Sequence, residues 1–148
     1  MQLTSYTDYA LRVLIYLAKA ADRQVTITEI ADYYDISRNH LVKVVHQLGS
    51  RGFVKTVRGK GGGLTLQRSA ESIRIGEVVR SMENHFVWVE CFDPARQQCK
   101  LLPTCGLRHL LNNAGNAYLS VLDAATLADV LTVSFPDHGS FNKHPGRS

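Results

Sequence analysis

Apolar residues recur along the first third of the chain at helical spacing. Leu11, Leu14, Ile15, Leu17 and Ala18 form one stripe, which predicts a helix from Tyr6 or Thr7 to about Ala20. Ser5 is its expected N-cap, and Asp8 falls in the first turn, where an acid complements the helix dipole. After the link ADRQV, Thr26 and Glu29 have the spacing of a capping box, and Ile30, Ala31 and Tyr34 supply the inner face of a second helix. A break is predicted near Asp35 and Ile36. Ser37 is then expected to cap a third helix, RNHLVKVVHQLGSRG, with Leu41, Val44, Val45 and Leu48 inward and Arg38, Asn39, Lys43, His46 and Gln47 pointing elsewhere. Two helices about a tight turn, the second polar and basic on its outer side, read as a helix-turn-helix.

The period shortens at FVKTV (53–57) and LTLQ (64–67), which alternate apolar and polar residues around the basic, glycine-rich RGKGGG (58–63). This predicts a hairpin, and a hairpin after a helix-turn-helix makes a winged helix. Its glycines let the tip approach a backbone closely, and Arg58 and Lys60 can reach phosphates or a narrow minor groove. RGKGGG lacks the residue order of a nucleotide phosphate loop and is not followed at once by a helix. IRIGEVVRSME (73–83) predicts another helix, with Ile75, Val78, Val79 and Met82 as its core face. Residues 84–105 read as irregular. From Gly106 to Leu122 an apolar stripe including Leu107, Leu110, Leu111, Tyr118 and Val121 runs roughly 25 Å. It is too apolar to face water beside so small a domain, so pairing with a two-fold copy is expected. Thr126–Leu131 predicts a further short helix, and the polar, Gly-, Pro- and Ser-rich stretch after it a mobile tail. The fold class is thus mainly α with a small β-wing. A winged helix-turn-helix spans 1–83, a cysteine-bearing loop 84–105, a dimerisation helix region 106–131 and the tail 132–148.

Composition sharpens this picture. The 148 residues suffice for one compact domain with a core, or for one domain plus an extension. The net charge of +4 is unevenly spread: Ile36–Arg68 holds Arg38, Lys43, Arg51, Lys55, Arg58, Lys60 and Arg68 and no acid. A block of one sign on the helix-turn-helix and wing is the electrostatic footprint of a polyanion-binding surface. No stretch is apolar enough to span a membrane, and the N-terminal apolar run is interrupted by Asp8 and Arg12 and lacks a cleavage signal. Neither a nucleophile–base pair nor paired carboxylates suggest an enzyme.

All three cysteines lie in CFDPARQQCKLLPTC (91–105). An odd, clustered set without a secretion signal predicts reduced thiols in the cytoplasm. Cysteine thiolates are the usual iron–sulfur ligands. Cys91, Cys99, Cys105 and His109 also make an accepted Cys3His zinc set, with His109 four positions after Cys105 at a helix start. Spacing leaves both open.

MQLTSYTDYALRVLIYLA, SRNHLVKVVHQLGSRGFVKTVRGKGGGLTL, IRIGEVVRSME and a cysteine cluster ahead of a long helix resemble, over roughly 1–131, the Rrf-type winged-helix regulators, above all their nitric-oxide-sensing branch. The resemblance implies a dimeric bacterial transcription factor with an iron–sulfur cluster on three cysteines and one other ligand. In the cluster-biogenesis branch that ligand is a histidine three positions after the last cysteine, where this chain has Arg108. In the nitric-oxide-sensing branch it is an aspartate near the N-terminus of the other subunit, and Asp8 stands at the matching place. The implied ligand set is Cys91, Cys99, Cys105 and Asp8 of the partner subunit, with His109 the alternative fourth ligand and [4Fe–4S] preferred over [2Fe–2S]. The seven residues between the first two cysteines exceed the five of several relatives, so FDPARQQ is expected to loop out. The implied function is a repressor that binds double-stranded operator DNA as a homodimer. Arg38, Asn39, His40 and Lys43 would read bases, Arg58 and Lys60 would support them from the wing, and nitric oxide would release the protein. The alternatives are a regulator of the same fold that senses cluster supply or redox state, and a DNA-binding protein with a structural zinc.

Overall fold

A computed structural model of the chain describes residues 2–21, 23–83, 86–102 and 104–132. The tail expected at 132–148 lies, beyond Thr132, outside the described residues. In chain order the elements are α1 (Ser5–Lys19), α2 (Ile27–Tyr34), α3 (Arg38–Ser50), β1 (Val54–Val57), β2 (Gly63–Leu66), α4 (Ile75–Met82), α5 (Gly106–Ala124) and α6 (Leu127–Thr132).

Thr4, and not Ser5, is the N-cap of α1; its hydroxyl accepts from the Thr7 N–H at 3.3 Å. Adjacent Thr and Ser have the same capping chemistry, and the contact of Thr4 with a distant residue, described below, decides between them. The buried face of α1 is Ala10, Val13, Leu14 and Leu17. It is rotated from the expected stripe, leaving Leu11, Ile15 and Ala18 half-buried, because α1 is flanked by α3, α4, α6 and β2 at once.

Thr26 caps α2 as expected, accepting from the Glu29 N–H at 3.1 Å. The reciprocal half of the capping box, from the Thr26 N–H to the Glu29 carboxylate, is only a minor contact. Tertiary partners mainly hold the Glu29 carboxylate: Arg23 at 2.7 Å and the Tyr16 hydroxyl at 2.8 Å. Asp35 adopts the left-handed conformation (φ 53°, ψ 49°), which ends α2 where a break was expected. Asp is among the few non-glycine residues that enter this region readily. Ser37 sits at the N-cap of α3 but makes no side-chain cap bond; its carbonyl accepts from the Leu41 N–H at 3.1 Å.

The wing pairs Val54 with Leu66 and Val57 with Gly63, antiparallel. Val25 exchanges two backbone bonds with Leu64, of 3.1 and 2.7 Å, which stitches the hairpin to the segment before α2. Phe53, Leu14, Leu41, Leu48, Ile73 and Leu127 are among the fully buried side chains of one core shared by α1, α3, the wing, α4 and α6. The presence of α6 in that core divides the 106–131 region. The Leu127 N–H reaches the Ile73 carbonyl at 2.8 Å and the Ile75 N–H reaches the Ala125 carbonyl at 3.0 Å, so the chain returns to the head after α5. Helix α5 itself buries none of its residues completely. Its C-terminal end lies on α4, where Arg80 pairs with Asp123 and Gly76 leaves no room for a side chain against Asp123.

The Glu29 carboxyl is held down to about 2, foremost by the hydrogen bond from Arg23 and then by that from Tyr16. A depressed folded value stabilises the fold above the ordinary value of 4.5, and that contribution fades as pH falls toward about 2. Glu29→Gln keeps the Thr26 cap, which uses a backbone N–H, but loses the charge. Melting temperatures of the parent and the variant should therefore differ at pH 6 and converge between pH ~4.5 and ~2. A gap constant with pH contradicts the assignment.

Candidate functional site

The outer side of α3 is held in place by its inner side. Leu41, Val44, Val45 and Leu48 are buried, which leaves Arg38, Asn39, His40, Lys43 and His46 exposed on one face. Gln47, also read as outward, is engaged: its amide donates to the Ser81 carbonyl of α4 at 2.9 Å. On the wing, Gly59 (φ 101°) and Gly61 (φ 78°) adopt backbone conformations that side chains rarely enter. A Cβ at Gly62 would collide with the Val57 carbonyl, so three of the loop's glycines are demanded by its turn. This presents Arg58 and Lys60 exposed at the tip. Among the described residues, Arg38, Lys43, Arg58 and Lys60 form no ion pair. Arg68 leaves the basic block: it pairs with Glu77 at 3.0 Å and lies over the Phe53 ring at 4.9 Å.

The cysteine segment is anchored at both ends. Trp88 meets the Tyr118 ring edge-on at 6.0 Å and lies against Gly115 on α5. Cys105 is the N-cap residue of α5. Between these points Cys91 sits in a single 3-10 turn, Glu90–Phe92. The long spacer is taken up by local turns, with the Asp93 carboxylate accepting from the Ala95 N–H at 2.9 Å and Arg96 3.6 Å from Asp93. All three thiols are free; Cys99 is exposed and the others half-buried. The donor chemistry therefore suits a thiolate-held metal group: unoxidised sulfurs on one short segment, none sequestered in the core. Among the described residues, however, no three of His, Cys, Asp and Glu converge on a common point. His109 is exposed on the first turn of α5, where it lines a cavity with Phe92, Arg108 and Asn112. Asp8 is half-exposed and pairs with Arg12 at 2.8 Å, and that guanidinium lies 5.7 Å from the Tyr34 ring centre.

Residues outside the expected set connect these parts. Glu83, the last described residue before the segment, accepts from the Thr4 N–H at 2.8 Å and its hydroxyl at 3.0 Å. Burial pushes the Glu83 carboxyl up, but hydrogen bonds from Thr7 and Thr4 outweigh it and hold the group below its ordinary value. The Tyr6 hydroxyl donates to the Lys43 carbonyl of α3 at 2.7 Å. Sequence gave no signal for these bonds, whose partners lie 79 and 37 positions apart.

Residues 3–132 match the Rrf2 family, described as iron-dependent transcriptional regulators. The chain belongs to the Rrf2 family. It is 53% identical over 132 residues to the HTH-type transcriptional regulator NsrR of Bacillus licheniformis, covering 88% of this chain and 92% of that one. With the NsrR of Bacillus subtilis the identity is 52%, covering 88% and 90%. The fold is similar to that of CymR, the global cysteine regulator of B. subtilis, with a TM-score of 0.75 at 26% identity over 91% of this chain and 99% of the other. It is also similar to T. potens IscR, with a TM-score of 0.74 at 22% identity over 95% and 93%. This Rrf2 protein is a DNA-binding transcriptional regulator with a winged helix-turn-helix, and not an enzyme. No helix among its described residues is long and apolar enough to cross a membrane.

Exposure ranks the thiols. In metal-free, native protein, iodoacetamide should label Cys99 first and the half-buried Cys91 and Cys105 more slowly, as followed by peptide mass spectrometry. Equal rates, or a thiol that labels only after denaturation, contradicts this arrangement.

Proposed function

We propose that this Rrf2 protein is a repressor that binds operator DNA as a homodimer in the bacterial cytoplasm and leaves it when nitric oxide reaches an iron–sulfur cluster. The cluster would be held by Cys91, Cys99, Cys105 and Asp8 of the partner subunit, in the [4Fe–4S] form over [2Fe–2S]. The observation that carries this reading is a segment of three free thiols that no described residue of its own chain completes, in a chain that also carries a half-exposed carboxylate, Asp8, on the first turn of α1. The half-identity to regulators named NsrR supports it.

When bound, such a cluster supplies iron open to nitric oxide, with reactivity tuned by a non-cysteine ligand. The protein's part is to hold and to transmit. To serve as a ligand Asp8 would give up its pairing with Arg12, whose guanidinium also lies by the Tyr34 ring. The stripe on α5, where Leu107, Leu110 and Val121 are 60%, 65% and 70% exposed, is covered by the same stripe of the second copy. Two α3 helices then face successive major grooves. Arg38, Asn39, His40 and Lys43 read base edges, and Arg58 and Lys60 bind phosphates or the minor groove. Release of Asp8 would free the first turn of α1, which is bonded both to α3 and to Glu83, the last described residue before the cysteine segment.

Metal analysis and operator binding test this together. Anaerobically reconstituted protein should contain iron and sulfide, and nitric oxide should both bleach its visible absorption and abolish the operator shift on a gel. Zinc without sulfide points to the Cys3His site with His109. Bleaching with operator binding intact sinks the nitric-oxide switch, and release on iron depletion or oxidation alone points to the sensor of supply or redox state.

The two groups of DNA contacts separate by salt and sequence. Lys60→Ala should weaken all sequences alike and reduce the slope of log affinity against log salt by about 0.9. Arg38→Ala should cost about 1–3 kcal/mol on the operator and relax base preference. Identical effects of the two variants on specificity would contradict these roles.

A further inference from the structure

We propose that Tyr6 is the positioning residue that passes the state of the first turn of α1 to the recognition helix. The inference deepens the sensing function proposed above and rests on it.

The Tyr6 hydroxyl donates to the Lys43 carbonyl at 2.7 Å. That carbonyl lies inside α3 on a residue whose side chain is exposed on the DNA-facing side. Asp8 follows Tyr6 by two positions in the same turn of α1. At 3.6 residues per turn the two side chains leave the helix about 200° apart. One grips α3 while the other faces away from it, which makes the turn a short lever with the sensing carboxylate on one arm and the recognition helix on the other.

The lever is stiff. Thr7 is fully buried, the Thr4 hydroxyl caps it, and Glu83 holds Thr4 by its N–H and its hydroxyl. A displacement that begins at Asp8 is therefore carried by the whole turn. The second side-chain grip on α3, from Gln47 to the Ser81 carbonyl, belongs to α4, which leads through Glu83 into the cysteine segment. Of the two grips, the one from Tyr6 shares a helical turn with Asp8.

A ring that merely fills space would need no hydroxyl, so Tyr6→Phe separates packing from transmission. Full-length, anaerobically reconstituted wild type and variant are compared by operator fluorescence anisotropy before and after nitric oxide, with the visible spectrum and melting temperature followed in parallel. Both should load iron and bleach alike, with Y6F melting a few degrees lower for the loss of one hydrogen bond. The factor by which nitric oxide weakens operator binding should be about fivefold smaller in Y6F, the equilibrium equivalent of one neutral hydrogen bond. In metal-free protein, where the sensing reading is not at stake, amides of Val44–Leu48 should exchange with deuterium faster in Y6F than in wild type. An unchanged factor, equal weakening in both states, or unchanged exchange overturns the proposal alone. A wild type whose operator affinity ignores nitric oxide overturns the sensing function, and this inference with it.

Discussion

One carboxylate and one threonine fix the geometry on which this fold turns. Glu83 closes α4 and caps the start of α1 through Thr4. These two bonds join the first turn of the chain to the last turn of the helix that precedes the cysteine segment. Thr7, the only fully buried polar residue among those described, sits under the joint. Neutral hydrogen bonds contribute about 0.5–1.5 kcal/mol each and those to a charged group about 1.5–3 kcal/mol, so the joint is modest in energy. Its importance is positional: α3 hangs between the two elements it ties, held by Tyr6 on one side and Gln47 on the other.

The features legible in the sequence are those set by short-range chemistry. The cap at Thr26, the break at Asp35, the glycine-built wing and the inner face of α3 each follow from a few adjacent residues, and each is found in the structure. What the sequence does not reveal is set by partners far along the chain. Glu29 turns its carboxylate mainly to Arg23 and Tyr16 and only slightly to its own capping box. Arg68 leaves the basic face for Glu77. Ser5 and Thr4 are equivalent caps until Glu83, 79 positions away, selects one. Thr126–Leu131 reads only as a further short helix of the 106–131 region, yet Leu127 is fully buried in the core and α6 packs on α1.

The candidate sensor was legible only in part, for a physical reason. Three thiols in one loop announce ligand chemistry, because a polar segment offers no packing role for three small hydrophobes. Their completion has no local signature, since nothing within the chain brings a fourth donor to them among the described residues. In the account proposed here the completing carboxylate belongs to a second copy, placed there by the apolar stripe of α5. An incomplete site is then a requirement of the mechanism, because one ligand set spans the sensor of one subunit and the DNA-reading head of the other.

Mixed dimers test that claim most directly. Two differently tagged chains are co-expressed, one carrying Asp8→Ala and the other Ser at Cys91, Cys99 and Cys105, and the heterodimer is purified anaerobically. The intact cysteines of the first chain then face Asp8 of the second. The heterodimer should carry one cluster per dimer, with the wild-type visible spectrum and the wild-type rate of bleaching by nitric oxide. A heterodimer whose spectrum and rate match those of the Asp8→Ala homodimer would contradict that claim.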